Sequence, residues 1–118
     1  EQTTWIYARS PRIDMDFDVD WREEHIMLKN EFPVDIRADY ATYDVQFGAA
    51  KRTAHNNTSW DTAMFEVCAH KFVDYAEYGY GVSLMSDCKY GYRNWDGDLS
   101  VTLINSAGSP DLPQPRFR

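Results

Sequence analysis

The stretch RIDMDFDVDW, residues 12–21, sets four carboxylates two positions apart, at Asp14, Asp16, Asp18 and Asp20. Carboxylates bind hard cations, and in pairs they act as acid and nucleophile in glycoside cleavage. A spacing of two is the period of a β-strand, so the four lie along one side with neighbours about 7 Å apart. A calcium ion needs oxygens converging from several directions, and a retaining glycosidase pair needs carboxyl groups about 5–5.5 Å apart across a bound sugar. A straight row offers neither. Repulsion between neighbours in water is only about 0.6 kcal/mol before salt screening, whereas burying Ile13, Met15, Phe17 and Val19 on the other side gives about 1.5–3 kcal/mol each. The row therefore reads as the wet side of a half-buried strand, with Arg22, Lys29 and Arg37 as candidate cross-strand partners.

The other chemistry-bearing residues specify no reaction. His25, His55 and His70 lack zinc-type spacing, and GxSxG, P-loop and CxxC patterns are absent from the sequence. Cys68 and Cys88 allow at most one disulfide, far short of a stapled scaffold, and read as two free thiols in a reducing compartment. Asn56 and Asn57 each open an N-x-[ST] triplet, which matters only in a secreted chain. The run HNNTSWD groups His55, Asn57 and Trp60 as a polar and aromatic cluster for an interface or loop. Its structural alternative is a loop whose Asn, Ser and Thr groups satisfy backbone while Trp60 plugs one end of the fold. Glu66 and His70, four apart on an expected strand, share a side and form either a hydrogen-bonded pair or a solvated one.

These residues must be carried by a small framework. A chain of 118 residues suits one domain with a modest core. Its formal charge of −7, with no Lys/Arg cluster, argues against nucleic acid and anionic membranes as partners. Aromatic and β-branched residues recur with period two, punctuated by turn formers, which predicts an antiparallel all-β domain. Strands are expected near 2–8, 12–20, 25–31, 39–47, 64–69, 71–76, 80–86 and 98–105. Asp96-Gly97 marks a two-residue hairpin, because both central positions of such a turn need positive φ. Residues 48–63 read as a long polar connection, and 112–118 as an extended Pro-rich tail.

The second half is more specific. ATYDVQFG (41–48), HNNTSWD (55–61), FEVCAHKFVD (65–74) and EYGYGVSLMSDCKYGY (77–92), preceded by SPRID, VDW and FPVD, resemble the C-terminal β-domain of glycoside hydrolase family 38 α-mannosidases. The similarity is to the branch with cytosolic and bacterial enzymes, and it spans about residues 10–111. It implies a parent enzyme that hydrolyses α-mannosides with retention, using zinc and an aspartate nucleophile in an α/β-barrel outside this segment. Residues 1–111 would then be a segment of an antiparallel β-sandwich, part of a supersandwich like that of galactose mutarotase-type domains. That segment would be cytoplasmic, inactive alone, free of catalytic and metal-binding residues, and partnered by the barrel of its own polypeptide and an α-mannoside or oligosaccharide.

By position, SDCKYGY is the loop expected to reach the mannose pocket. Asp87 would accept from sugar hydroxyls, Lys89 would donate, and Tyr90 or Tyr92 would stack on the sugar, unless the tyrosines only pack around a Gly91 turn. One position departs from the family: members carry an arginine ahead of the PD pair where this chain has Asn105, which cannot supply a charged fork. Cys88 stands where the family also has cysteine, and a reactive role for it requires a depressed pKa. Strands deprived of neighbours would expose backbone edges and apolar surface, so self-association is expected. The rival reading is a stand-alone carbohydrate-binding module, which would close its own core and cover its own edges.

Overall fold

A computed structural model of the chain describes residues 1–107, so the tail expected at 112–118 lies outside the described residues. Alternation builds its two main sheets. In β4 (Tyr40–Val45) Ala41 and Tyr43 are buried, and in β7 (Phe72–Glu77) Val73 and Tyr75 are buried, while the residues between them are more exposed. The two strands pair antiparallel with Tyr43 opposite Val73, which brings the buried sets together on one face. A slip of one residue would turn both sets to water, so burial fixes the register. β5 (Gly48–Thr53) and β8 (Tyr80–Met85) complete a sheet of order β5-β4-β7-β8.

The second sheet has the order β3-β10-β9-β6, from β3 (Met27–Pro33), β10 (Asp98–Asn105), β9 (Gly91–Trp95) and β6 (Val67–Cys68). Its Tyr92, Leu99 and Val101 join Tyr43, Val73 and Tyr75 in one core, with Ile36, Ala41, Ala54 and Ala69 filling between them. All pairings are antiparallel, and the fold is the expected β-sandwich. The phenol of Tyr75 donates to Ile36 O at 2.9 Å, which ties the 34–39 connection to the core. Asp96 and Gly97 have φ of 52° and 89° between β9 and β10, as the hairpin signal requires.

Three expectations are corrected, and one strand is added. The connection at 48–63 is not a plain loop: Phe47 takes φ 61° in a two-residue turn, the chain returns as β5 against β4, and Ser59–Ala63 forms a one-turn helix, α1. The sequence GAAKRT carries few apolar positions because β5 is an edge strand. The strand expected at 64–69 shrinks to Val67–Cys68, and GYRNW, not assigned beforehand, forms β9. The strand expected at 12–20 is only β2 (Ile13–Phe17), paired with β1 (Gln2–Ile6) in a separate two-stranded sheet.

That last difference breaks the aspartate row. Asp14 accepts from Tyr7 Oη at 2.7 Å and from Arg12 Nε at 2.5 Å, and Asp16 accepts from Trp5 Nε1 at 3.3 Å. Asp18 and Asp20 lie past the strand, where Asp20 pairs with Arg22. Lys29 and Arg37 do not serve the row: the Lys29 ammonium pairs with Glu66, and the Arg37 amide donates to Glu77. The apolar side is also not buried as expected. Met15 is half-buried, but Ile13 and Phe17 stay exposed, as does Val19 past the strand's end. The hairpin forms a sheet of its own beside the sandwich and leaves most of that side in water.

Candidate functional site

The expected sugar-facing loop is the β8–β9 connection, and backbone hydrogen bonds pin it at both ends. Ser86 N donates to Lys71 O at 2.9 Å, and Ala69 N donates to Tyr90 O at 3.0 Å. Between these anchors the Ser86 hydroxyl accepts from Lys89 N at 3.0 Å and Cys88 N at 3.4 Å, the local turn that a serine favours. The adjoining 69–71 segment is held in turn by Asp44, whose carbonyl takes His70 N at 3.0 Å and whose carboxylate takes Lys71 N at 3.1 Å. Asp87 and Tyr90 are left exposed and Lys89 half-buried. The Tyr90 ring meets His70 edge-on, at 6.1 Å between centroids, and is still 58 % exposed.

Tyr90 and Tyr92 have opposite surroundings. Tyr92 is fully buried in the core and offers no face for stacking, whereas Tyr90 does. The Cys88 thiol is pushed up, by its hydrogen bond with Asp87 first and then by desolvation, so it lacks the depressed pKa that reactivity requires. Strand register brings Asn105 to the same end of the sandwich: Tyr92 pairs with Val101, so the start of β9 and the last residues of β10 lie together. Asn105 itself is exposed, opposite Met27 of β3.

His55, Asn57 and Trp60 are carried elsewhere. Ala54, just before His55, accepts Asp96 N at 3.1 Å, at the hairpin end of the second sheet and away from the 86–90 loop. The cluster is organised by Asp61, which sequence reading passed over. Thr58 caps α1: its hydroxyl accepts from Asp61 N at 3.1 Å, and Asp61 Oδ2 accepts from Thr58 N at 3.1 Å. The signal was the spacing Thr58-x-x-Asp61, a capping box with Asp in the place of Glu. Thr53 Oγ1 donates to the other carboxylate oxygen at 2.8 Å, joining α1 to β5. Hydrogen bonds from Thr58 and then Thr53 hold the Asp61 carboxyl below its ordinary range. His55 Nδ1 lies 3.6 Å from Asp61 Oδ2 and accepts from Asn57 N at 3.4 Å. Trp60 is 82 % exposed and does not plug the sandwich.

Glu66 is also not the partner of His70. It precedes the short β6 and accepts from Lys29 Nζ at 2.8 Å and from the Thr102 hydroxyl. Burial alone would raise its pKa, but Lys29 and Thr102 outweigh that and leave it lowered. Next to α1 is a cavity of about 20 Å³ lined by residues including Thr53, His55, Asp61 and Asn94. Ligand pockets run to hundreds of cubic ångströms, so this cavity is too small for a sugar ring. Among the described residues no group of three or more His, Cys, Asp or Glu could hold a metal ion. The two candidate loops carry exposed polar and aromatic groups on hydrogen-bonded backbone.

Comparison with known proteins agrees with the motifs. The glycosyl hydrolases family 38 C-terminal domain matches residues 1–113. An alpha-mannosidase of Saccharomyces cerevisiae is 48 % identical over 105 residues, 88 % of this chain and 10 % of the relative. Alpha-mannosidase G of Dictyostelium discoideum is 44 % identical over 110 residues, covering 93 % of this chain and 10 % of its own length. Human alpha-mannosidase 2C1 is 45 % identical over 101 residues, covering 86 % and 10 %. The chain thus spans about a tenth of the length of these relatives. With a match running along nearly all of its residues, the chain belongs to the family of glycosyl hydrolase family 38 C-terminal domains.

Proposed function

We propose that this chain serves an enzyme that hydrolyses α-mannosidic bonds with retention, as a β-sandwich that buttresses the catalytic barrel and lends the Ser86–Tyr90 loop to the sugar pocket. The observation that carries the reading is the family match over residues 1–113, together with relatives that are named alpha-mannosidases. Support for the loop comes from its build: the backbone is anchored at both ends while Asp87 and Tyr90 reach into solvent. Asp87 accepts from sugar hydroxyls, Lys89 donates, and the Tyr90 ring lies against the apolar face of the sugar. Asn105, at the same end, offers a neutral amide in the family's arginine slot. His55, Asn57 and Trp60 belong on this reading to an interface with the rest of the polypeptide.

Zinc is the metal that the family resemblance implies. The residues described here do not fit it, because no cluster of ligating side chains exists among them, and no step assigned to this chain runs through it. On this reading the enzyme works in the reducing cytoplasm, a compartment that suits Cys68 and Cys88, both free and exposed. No helix among the described residues is long and apolar enough to cross a membrane. A self-contained carbohydrate-binding module is disfavoured by the apolar groups left in water, among them Trp5 at 53 %, Ile6 at 78 % and Met85 at 68 % exposure. The same groups favour association of the isolated chain with itself.

The test is turnover of an aryl α-mannoside by this chain alone, with and without added zinc, in a preparation free of host enzymes. The expected result is none. Metal-dependent hydrolysis by the 118 residues would overturn the division of labour.

A further inference from the structure

The mannosidase reading makes no use of Asn94. This residue of β9 is 8 % exposed, and neither its amide nitrogen nor its amide oxygen has a hydrogen-bond partner among the described residues. It stands opposite Leu99, itself fully buried, so its amide sits on the core side of the sheet. An unpaired amide in such a place is strongly disfavoured, and buried amides nearly always find partners. Asn94 lines the cavity of about 20 Å³ beside α1, together with Thr53, His55, Asn56 and Asp61.

A water molecule needs about 10–15 Å³ of such space and two to four polar partners. The cavity meets both conditions. We propose that it is a binding site for one structural water, which bridges the Asn94 amide to the polar groups of the 53–61 segment. Water suits the site better than a small cation. The amide presents a donor and an acceptor, and a cation would serve only the oxygen and leave the N–H groups unpaired. The Asp61 carboxylate, the natural ligand for a cation here, is already engaged by Thr53 and twice by Thr58. The consequence is mechanical: the water ties the segment bearing His55, Asn57 and Trp60 to β9, where direct side-chain bonds do not. The site stands whether or not the loops touch sugar.

Two measurements on this chain test it. A high-resolution crystal structure is expected to show one solvent peak within hydrogen-bond distance of the Asn94 amide and of a polar group of the 53–61 segment. In solution, the Asn94 side-chain NH₂ is expected to give a cross-relaxation peak to a long-lived water, and Asn94→Leu is expected to lose that long-lived water. If Asn94→Leu does not fold, the two wild-type measurements decide. A dry cavity, an Asn94 amide paired directly with protein atoms, or a peak with the short all-oxygen contacts of a cation would each overturn the proposal.

Discussion

Substituting alanine for three glycines separates backbone strain from steric overlap. Gly48 lies outside the left-handed region and has nothing within 4 Å of where a Cβ would stand. Alanine there is expected to leave stability within about 0.5 kcal/mol of wild type, because a stiffer unfolded chain offsets any small loss. Gly79 has φ 86° and equally open surroundings, so Gly79→Ala carries backbone strain alone, about 1 kcal/mol. Gly97 has φ 89°, and its Cβ would stand 2.7 Å from Val34 O. That atom is backbone, and it is held in place because Val34 N donates to Gly97 O at 2.9 Å. Relieving the overlap means moving the end of β3 away from the hairpin, an overpacking cost of about 1–3 kcal/mol. Gly97→Ala should therefore lose about 2–4 kcal/mol, a large share of the 5–15 kcal/mol typical of a domain. Urea unfolding at a fixed low protein concentration, with the m-value held common, measures all three. If Gly97→Ala falls within about 0.5 kcal/mol of Gly79→Ala, the Val34–Gly97 contact is not rigid and the reasoning fails.

Tyr75→Phe removes the donor that satisfies Ile36 O and should cost about 1–3 kcal/mol by the same assay, since it leaves a buried carbonyl unpaired; a loss below about 0.3 kcal/mol would show that the carbonyl finds water instead. Glu66 has its pKa lowered by Lys29 and Thr102 against the opposing effect of burial, so its contribution is complete above the unfolded value near pH 4.3 and is lost as pH falls through the folded value. The advantage of wild type over Glu66→Gln should thus be flat above about pH 5 and shrink below about pH 4; a pH-independent gap would contradict the assignment. Light scattering across a dilution series should show the chain associating with itself, and Ile6→Lys with Ile13→Lys, opposed residues on the hairpin, should weaken that association; a monomer at every concentration refutes it.

Most strands were legible, whereas β5 and β9 were not. Tyr40–Val45, Phe72–Glu77 and Asp98–Asn105 lie close to their expected ranges because alternation records burial, and burial holds them. Gly48–Thr53 carries no such record: its Ala, Lys, Arg and Thr side chains pair at an edge, and its partner β4 supplies the core residues. Arg52 became visible only in space, where its guanidinium lies over the Tyr43 ring at 4.9 Å and donates to Cys68 O at 2.6 Å. Of the site, the membership of each loop was legible from contiguous motifs. The separation of His55, Asn57 and Trp60 from Asp87, Lys89 and Tyr90 was not, because it depends on which end of the sandwich each connection crosses.

The first hairpin shows what alternation does and does not encode. Its pattern specifies two sides, and the polar side is complete within the chain, with Asp14 and Asp16 engaged by Tyr7, Arg12 and Trp5. The apolar side is not, for Ile6 and Ile13 stand opposed at 78 % and 53 % exposure. An isolated two-stranded sheet is marginal in water, and one that leaves its oily side wet gains little from burial. Local pattern and local environment therefore disagree at this one element, while in β4, β7 and β10 they agree. In sequences that fold well such disagreements mark places where something else completes the structure. Four aspartates in a row first suggested chemistry on the wet side of β2. The physical demand lies on the opposite side, where Ile6 and Ile13 need a covering surface more than Asp14 and Asp16 need an ion.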